Sequence, residues 1–99
     1  MNIKIQSVRF DADKKLLAYI EQKVGKLEQF AGDILDADVI LRLENSEEKE
    51  NKVAEIKINI PKANDVFAKK QAKTFEEAVD LATEALRRQL KKIKEKQRG

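Results

Sequence analysis

Two stretches of this chain space their apolar residues three and four apart, while two stretches between them are apolar at every second residue. Leu16, Ile20, Val24, Leu27 and Phe30 make the first stripe; Phe75, Val79, Ala82, Leu86, Leu90 and Ile93 make the second. That spacing gathers each set on one face of a helix. Residues 35–44 instead alternate Leu35, Ala37, Val39, Leu41 and Leu43 with Asp36, Asp38, Arg42 and Glu44. Residues 52–60 likewise put Ala54, Ile56, Ile58 and Ile60 on one side. A period of two belongs to a strand with one buried face. A chain with both periods must bury two helical stripes and a sheet face together, which a two-layer α+β domain does economically.

The remaining elements follow from local signals. Ile3 and Ile5 alternate with Lys4 and Gln6, predicting a first strand over about residues 2–8. The first helix is expected from about Asp13 to Ala31, with Asp11 or Asp13 as its cap and Gly32 where a helix commonly ends. Gly25 lies inside it at a cost of about 1 kcal/mol relative to Ala; close packing against the sheet is one reason for a glycine there. Residues 45–51 are polar and read as a hairpin loop, and residues 61–64 as a turn. Asp65 to Gln71 reads as a shorter fourth strand. Thr74-x-x-Glu77 matches a capping box ahead of a last helix reaching about Gln97. The order is β-α-β-β-β-α, one domain over residues 1–99. Its sheet should be four-stranded and mixed, with one parallel pair, a meander, and both helices on one face. The other face would carry Lys4, Gln6, Asp36, Asp38, Arg42, Glu55 and Lys57, a mixture with little uniform attraction for phosphate.

The residue types exclude much chemistry. The chain has no cysteine and no histidine. Disulfides, thiolate chemistry, common zinc sites and Ser-His or Cys-His dyads are therefore impossible. Three scattered glycines, Gly25, Gly32 and Gly99, make no nucleotide-cradling loop. Asp36 and Asp38 are spaced to touch a hydrated cation, but two acids on an exposed strand face are usually just solvated. Neither an enzyme nor a cofactor nor a small-molecule substrate is expected. No run reaches the roughly 18 apolar residues of a membrane span, and the N-terminus reads as a strand, so a cytoplasmic protein is expected.

Charge is where the sequence speaks most clearly. Charged residues are 39% of the chain, against about a quarter ordinarily. Residues 1–68 carry 11 basic and 13 acidic side chains, a net of −2; residues 69–99 carry 10 basic and 5 acidic, a net of +5. Between Arg87 and Arg98 seven residues are basic, and Glu95 is the sole acid. On a helix Arg87, Lys91, Lys94 and Arg98 fall in one row, and Arg88, Lys92 and Lys96 in the next. Favourable placement of cations at a helix C-terminus accounts for two or three such charges, not seven. A polyanion, bound with counterion release, accounts for the strip better. Lys69, Lys70 and Lys73 lead into the same helix. Lys23 and Lys26 lie off the first helix's stripe; alone they are ordinary exposed lysines, but two helices on one sheet face would bring them towards the strip. Aromatics are few. Tyr19 reads as a core edge, and Phe30, Phe67 and Phe75 as internal, which disfavours a single-strand reader with exposed sheet aromatics.

Lys23-Val24-Gly25-Lys26-Leu27-Glu28-Gln29-Phe30 and Leu86-Arg87-Arg88-Gln89-Leu90-Lys91-Lys92-Ile93-Lys94-Glu95-Lys96, with the element order, resemble the ribosome hibernation-promoting factor family. That family includes the ribosome-associated inhibitor A proteins and the former sigma-54 modulation proteins. The resemblance covers essentially the whole chain. It implies a fold like that of double-stranded-RNA-binding domains, with two parallel helices on a four-stranded sheet. It also implies binding to rRNA in the small-subunit channel between head and platform, where the protein displaces messenger and transfer RNA. Carried over by position, Lys23, Lys26, Arg88, Lys92, Lys94 and Lys96 match basic positions of the family; Arg87, Lys91 and Arg98 join them by proximity only. Where the family usually has Asp-x-Tyr-x-Ala-Ile-Asp, this chain has Thr74-Phe75-Glu76-Glu77-Ala78-Val79-Asp80, with Glu76 in the tyrosine's place. The chain ends at Gly99 without the further domain by which long members pair ribosomes, so a short form, monomeric when free, is expected. A general double-stranded RNA binder and a charged protein-interaction module are the competing readings.

Overall fold

The sheet and helices form in the expected order. A computed structural model describes the chain apart from residues 32, 45–48, 62–64 and 99, and apart from the side chains of residues 96–98. The expected stop at Gly32, much of the 45–51 loop and most of the 61–64 turn lie outside the described residues. Strands β1 (Asn2–Val8), β2 (Asp36–Leu43), β3 (Lys52–Asn59) and β4 (Val66–Ala72) lie in the order β1-β2-β3-β4. β1 and β2 are parallel, with Ile5 opposite Val39; β2–β3 and β3–β4 are antiparallel, with Val39 opposite Ile56 and Ile56 opposite Ala68. The parallel pair exists because helix α1 (Lys14–Gly25) carries the chain back between its two strands.

Both helices cover one sheet face. α1 packs on β1 and on α2 (Phe75–Arg98), and α2 packs on β3 and β4. The core lies between the layers: Ile20 and Val24 from α1, Val39 and Leu41 from β2, Ile56 and Ile58 from β3, and Val79, Leu86 and Leu90 from α2 are all essentially inaccessible. Burial of each such side chain contributes about 1.5–3 kcal/mol. Asp13 caps α1, its Oδ1 accepting from the Leu16 amide at 2.8 Å. Thr74 starts α2, its Oγ1 accepting from the Glu77 amide at 3.1 Å. Between β1 and α1, Arg9 adopts a positive φ of 69°, and Phe10 beyond it stacks on Phe75 with centroids 4.7 Å apart.

Three local expectations change. The first helix is not α-helical throughout: at Gly25 it tightens into a 3₁₀ turn, Lys26–Gln29, ended by Phe30. A Cβ on Gly25 would meet nothing within 4 Å, so close packing is not its reason. Leu35 precedes β2 and is 56% exposed, because the strand begins one residue later than its alternation suggests. Phe67 is 52% exposed rather than internal; it pairs with Lys57 across β3–β4, which sets it on the open face of the sheet.

Candidate nucleic-acid interface

α2 is longer than the core beneath it. Its 24 residues span about 36 Å at 1.5 Å per residue, and among the described side chains Leu90 is the last one fully buried. Ile93 is half-buried, while Lys91, Lys92 and Lys94 are exposed. The apolar stripe thus holds the helix down, and the basic rows extend along and past the body.

One row borders the groove between the helices. Lys23 and Lys26 line a cleft of about 220 Å³ together with Phe30, Thr83, Glu84 and Arg87. Lys91 and Lys94 continue the wall beside Gln29 and Phe30. Two helices packed on one sheet face therefore bring Lys23 and Lys26 to the side of α2 that carries Arg87, Lys91 and Lys94. Arg88 and Lys92 sit in the neighbouring row, turned further from α1 by helical periodicity; the Arg88 side chain is 72% exposed. Lys96 lies on α2, but its side chain is outside the described residues. Lys69 does not join the strip. It points to the open sheet face, 3.8 Å from Glu55, which also pairs with Arg42 at 3.0 Å.

The cations of the groove are not equally available. Glu84 receives Arg87 through two nitrogens and lies 3.6 Å from Arg88 Nε. The Arg87 hydrogen bond holds the Glu84 carboxyl below its usual range, and Glu84 in turn raises the Arg87 guanidinium. Lys23 Nζ stands 3.5 Å from Asp80 of α2 and 5.6 Å from the Tyr19 ring centre. Tyr19 donates its hydroxyl to the same Asp80 oxygen at 2.5 Å. Chiefly because of that bond, its phenol is pushed up to about 12. Lys26, Lys91, Lys92 and Lys94 make no ion pair among the described residues. Phe30 packs against the core and also has cations over its ring: Arg87 Cζ and Lys91 Nζ each lie 5.8 Å from its ring centre.

Charge counting missed Glu84, Asp80 and Phe30. The first was legible, since Glu84 precedes Arg87 by three and Arg88 by four, the spacings at which helical side chains meet. Asp80 and Phe30 act across elements, and no spacing along the chain reveals such contacts. Among the described residues no cluster of three metal-ligating side chains occurs, and no helix is long and apolar enough to cross a membrane.

Residues 3–98 match the profile of the family described as Sigma 54 modulation protein / S30EA ribosomal protein. The chain is similar to the ribosome hibernation promotion factor of Bacillus subtilis (strain 168), 34% identical over 98 residues that make up 97% of this chain and 50% of that one. It thus spans half the length of that relative. It is 29% identical to the ribosome hibernation promoting factor of Pseudomonas putida (strain KT2440) over 99 residues, all of this chain and 92% of the other. The crystal structure of the Thermus thermophilus Protein Y N-terminal domain aligns with a TM-score of 0.80 at 26% identity, covering 94% of this chain and 99% of that one. A ribosomal subunit interface protein from Coxiella burnetii shares the fold, with a TM-score of 0.83 at 21% identity over 95% of this chain and 98% of its own.

Proposed function

The chain belongs to the Sigma 54 modulation protein / S30EA ribosomal protein family, and from that premise we propose that it is a ribosome hibernation factor binding small-subunit rRNA in the decoding channel. Residues 1–99 act as one ribosome-binding domain, monomeric when free, in the cytoplasm. The mechanism is occlusion without catalysis. A rigid body whose helical layer meets rRNA phosphates occupies the space of transfer and messenger RNA, and translation stops for as long as it stays. The contacts fall to Lys23, Lys26, Arg87, Arg88, Lys91, Lys92, Lys94 and Lys96.

The observation that carries this reading is the availability of Lys26, Lys91, Lys92 and Lys94. They are exposed, lie on the helical layer, and make no ion pair among the described residues. Each phosphate neutralised releases counterions, so affinity should fall with salt by a log–log slope of about 0.7–0.9 per contact. The names of the Bacillus and Pseudomonas relatives supply the ribosome as the source of those phosphates.

The test is competition on purified small subunits. There the chain should displace bound transfer RNA and messenger and remain bound against an excess of free duplex RNA; added to complete ribosomes in a translating extract, it should halt peptide synthesis. Equal displacement of the chain by duplex would favour a general double-stranded RNA binder.

A further inference from the structure

We propose that Phe30 and Gln29 form a seat for one unstacked nucleobase, set between the cations that hold the phosphates on either side of it. This deepens the rRNA-binding reading and rests on it. Phe30 follows the 3₁₀ turn Lys26–Gln29 and is half-buried. Its ring lines three adjoining clefts: about 220 Å³ beside Lys26 and Arg87, about 270 Å³ beside Lys91 and Lys94, and about 340 Å³ beside Ile60 and Ile93. Gln29 lines all three. A phenylalanine that serves only the core has no use for that openness, nor for two cations each 5.8 Å from its ring centre.

The parts suit a nucleotide. An aromatic face accepts a base of any sequence, and the stacking is worth about 1–3 kcal/mol. Lys91, which makes no ion pair among the described residues, reaches outward to phosphate when a base takes its place over the ring, whereas Arg87 stays tied to Glu84 at the edge of the seat. Gln29 is exposed and its side-chain amide makes no hydrogen bond among the described residues. It offers one acceptor and two donors to a base edge. The ligand is a nucleotide from a single-stranded or bulged segment, because bases inside an RNA duplex have no free face.

Two substitutions separate the ring from its bulk. Phe30→Leu keeps an apolar side chain and removes the stacking face; Phe30→Tyr keeps the face. Affinity for isolated small subunits would be measured over a potassium chloride series, with thermal midpoints alongside. Phe30→Leu should weaken binding on the order of 5- to 150-fold with an unchanged salt slope, since no phosphate contact is removed. Phe30→Tyr should bind within about threefold of the wild type, and Gln29→Ala should weaken binding with no change in midpoint. In the wild type, a short single-stranded RNA should shift the Phe30 ring protons upfield in NMR spectra. Wild-type affinity in a folded Phe30→Leu, or a loss that Phe30→Tyr does not restore, overturns the seat. Should Phe30→Leu not fold, unmoved Phe30 ring signals or full affinity in Gln29→Ala would do the same. Failure of the wild type to bind small subunits at all would instead defeat the rRNA reading, and the seat with it.

Discussion

Lys23 and Arg87 face the same groove, yet each is held by a carboxylate of α2, Asp80 and Glu84. Asp80 also takes the Tyr19 hydroxyl, tying α1 to α2. Tyr19 is the one tyrosine in a chain without tryptophan, so phenolate absorbance reports on this contact alone. Its midpoint should lie near 12 rather than the ordinary 10, and Asp80→Ala should return it towards 10 in protein that circular dichroism shows still folded. The folded state keeps this proton longer than the unfolded chain does. The stability it confers is thus fully present below pH 10 and is lost as pH rises through about 12. Gly25 makes a second prediction. Its φ of −59° suits any residue and a Cβ there meets open space, so Gly25→Ala should stabilise the protein by about 0.5–1 kcal/mol in urea unfolding. Single positions were the least legible part of the sequence. Leu35 and Phe67 both fit an apolar pattern, but strand ends and strand register decide which apolar residues reach the core.

α2 carries a buried apolar face and an exposed basic one, and its sequence keeps the two apart. Leu86 anchors the buried side, and Leu86→Ala should cost about 2–5 kcal/mol by denaturant unfolding. Thr74→Ala, which removes the cap on the Glu77 amide, should cost about 1 kcal/mol. The outer side is tempered by Glu84, which engages two of its arginines. Glu84→Gln frees both, and should tighten binding to small subunits at low salt while steepening the salt slope by about one contact's worth. Unchanged affinity would show that phosphate displaces Glu84 without cost. Elements were far more legible than residues: both periods recur over enough turns to survive local exceptions. The break after Gly25 was not, because the apolar spacing through Leu27 and Phe30 is the same for a 3₁₀ turn as for a continued helix.

At the scale of the molecule, topology builds the groove. The parallel β1–β2 pair requires a crossover helix, and that helix lies beside α2 on the same sheet face. Lys26 thereby comes to one cleft with Arg87 although 61 positions separate them. The sequence held the conditional form of this result, that two helices on one face would bring these lysines near the strip. What the groove contains besides charge, a half-buried ring under two cations, depends on tertiary packing and had no trace in the pattern. The central claim is that the outer basic rows bind rRNA without holding the fold together. The direct measurement is co-sedimentation of the chain with small subunits, wild type against the triple variant Arg88→Glu, Lys92→Glu and Lys94→Glu, with thermal midpoints taken in parallel. The account predicts that the variant stays with the free protein while its midpoint moves by only a few degrees, since an exposed, solvent-screened pair such as Arg88–Glu84 adds little to stability. Co-sedimentation of the folded variant at the wild-type level would contradict it.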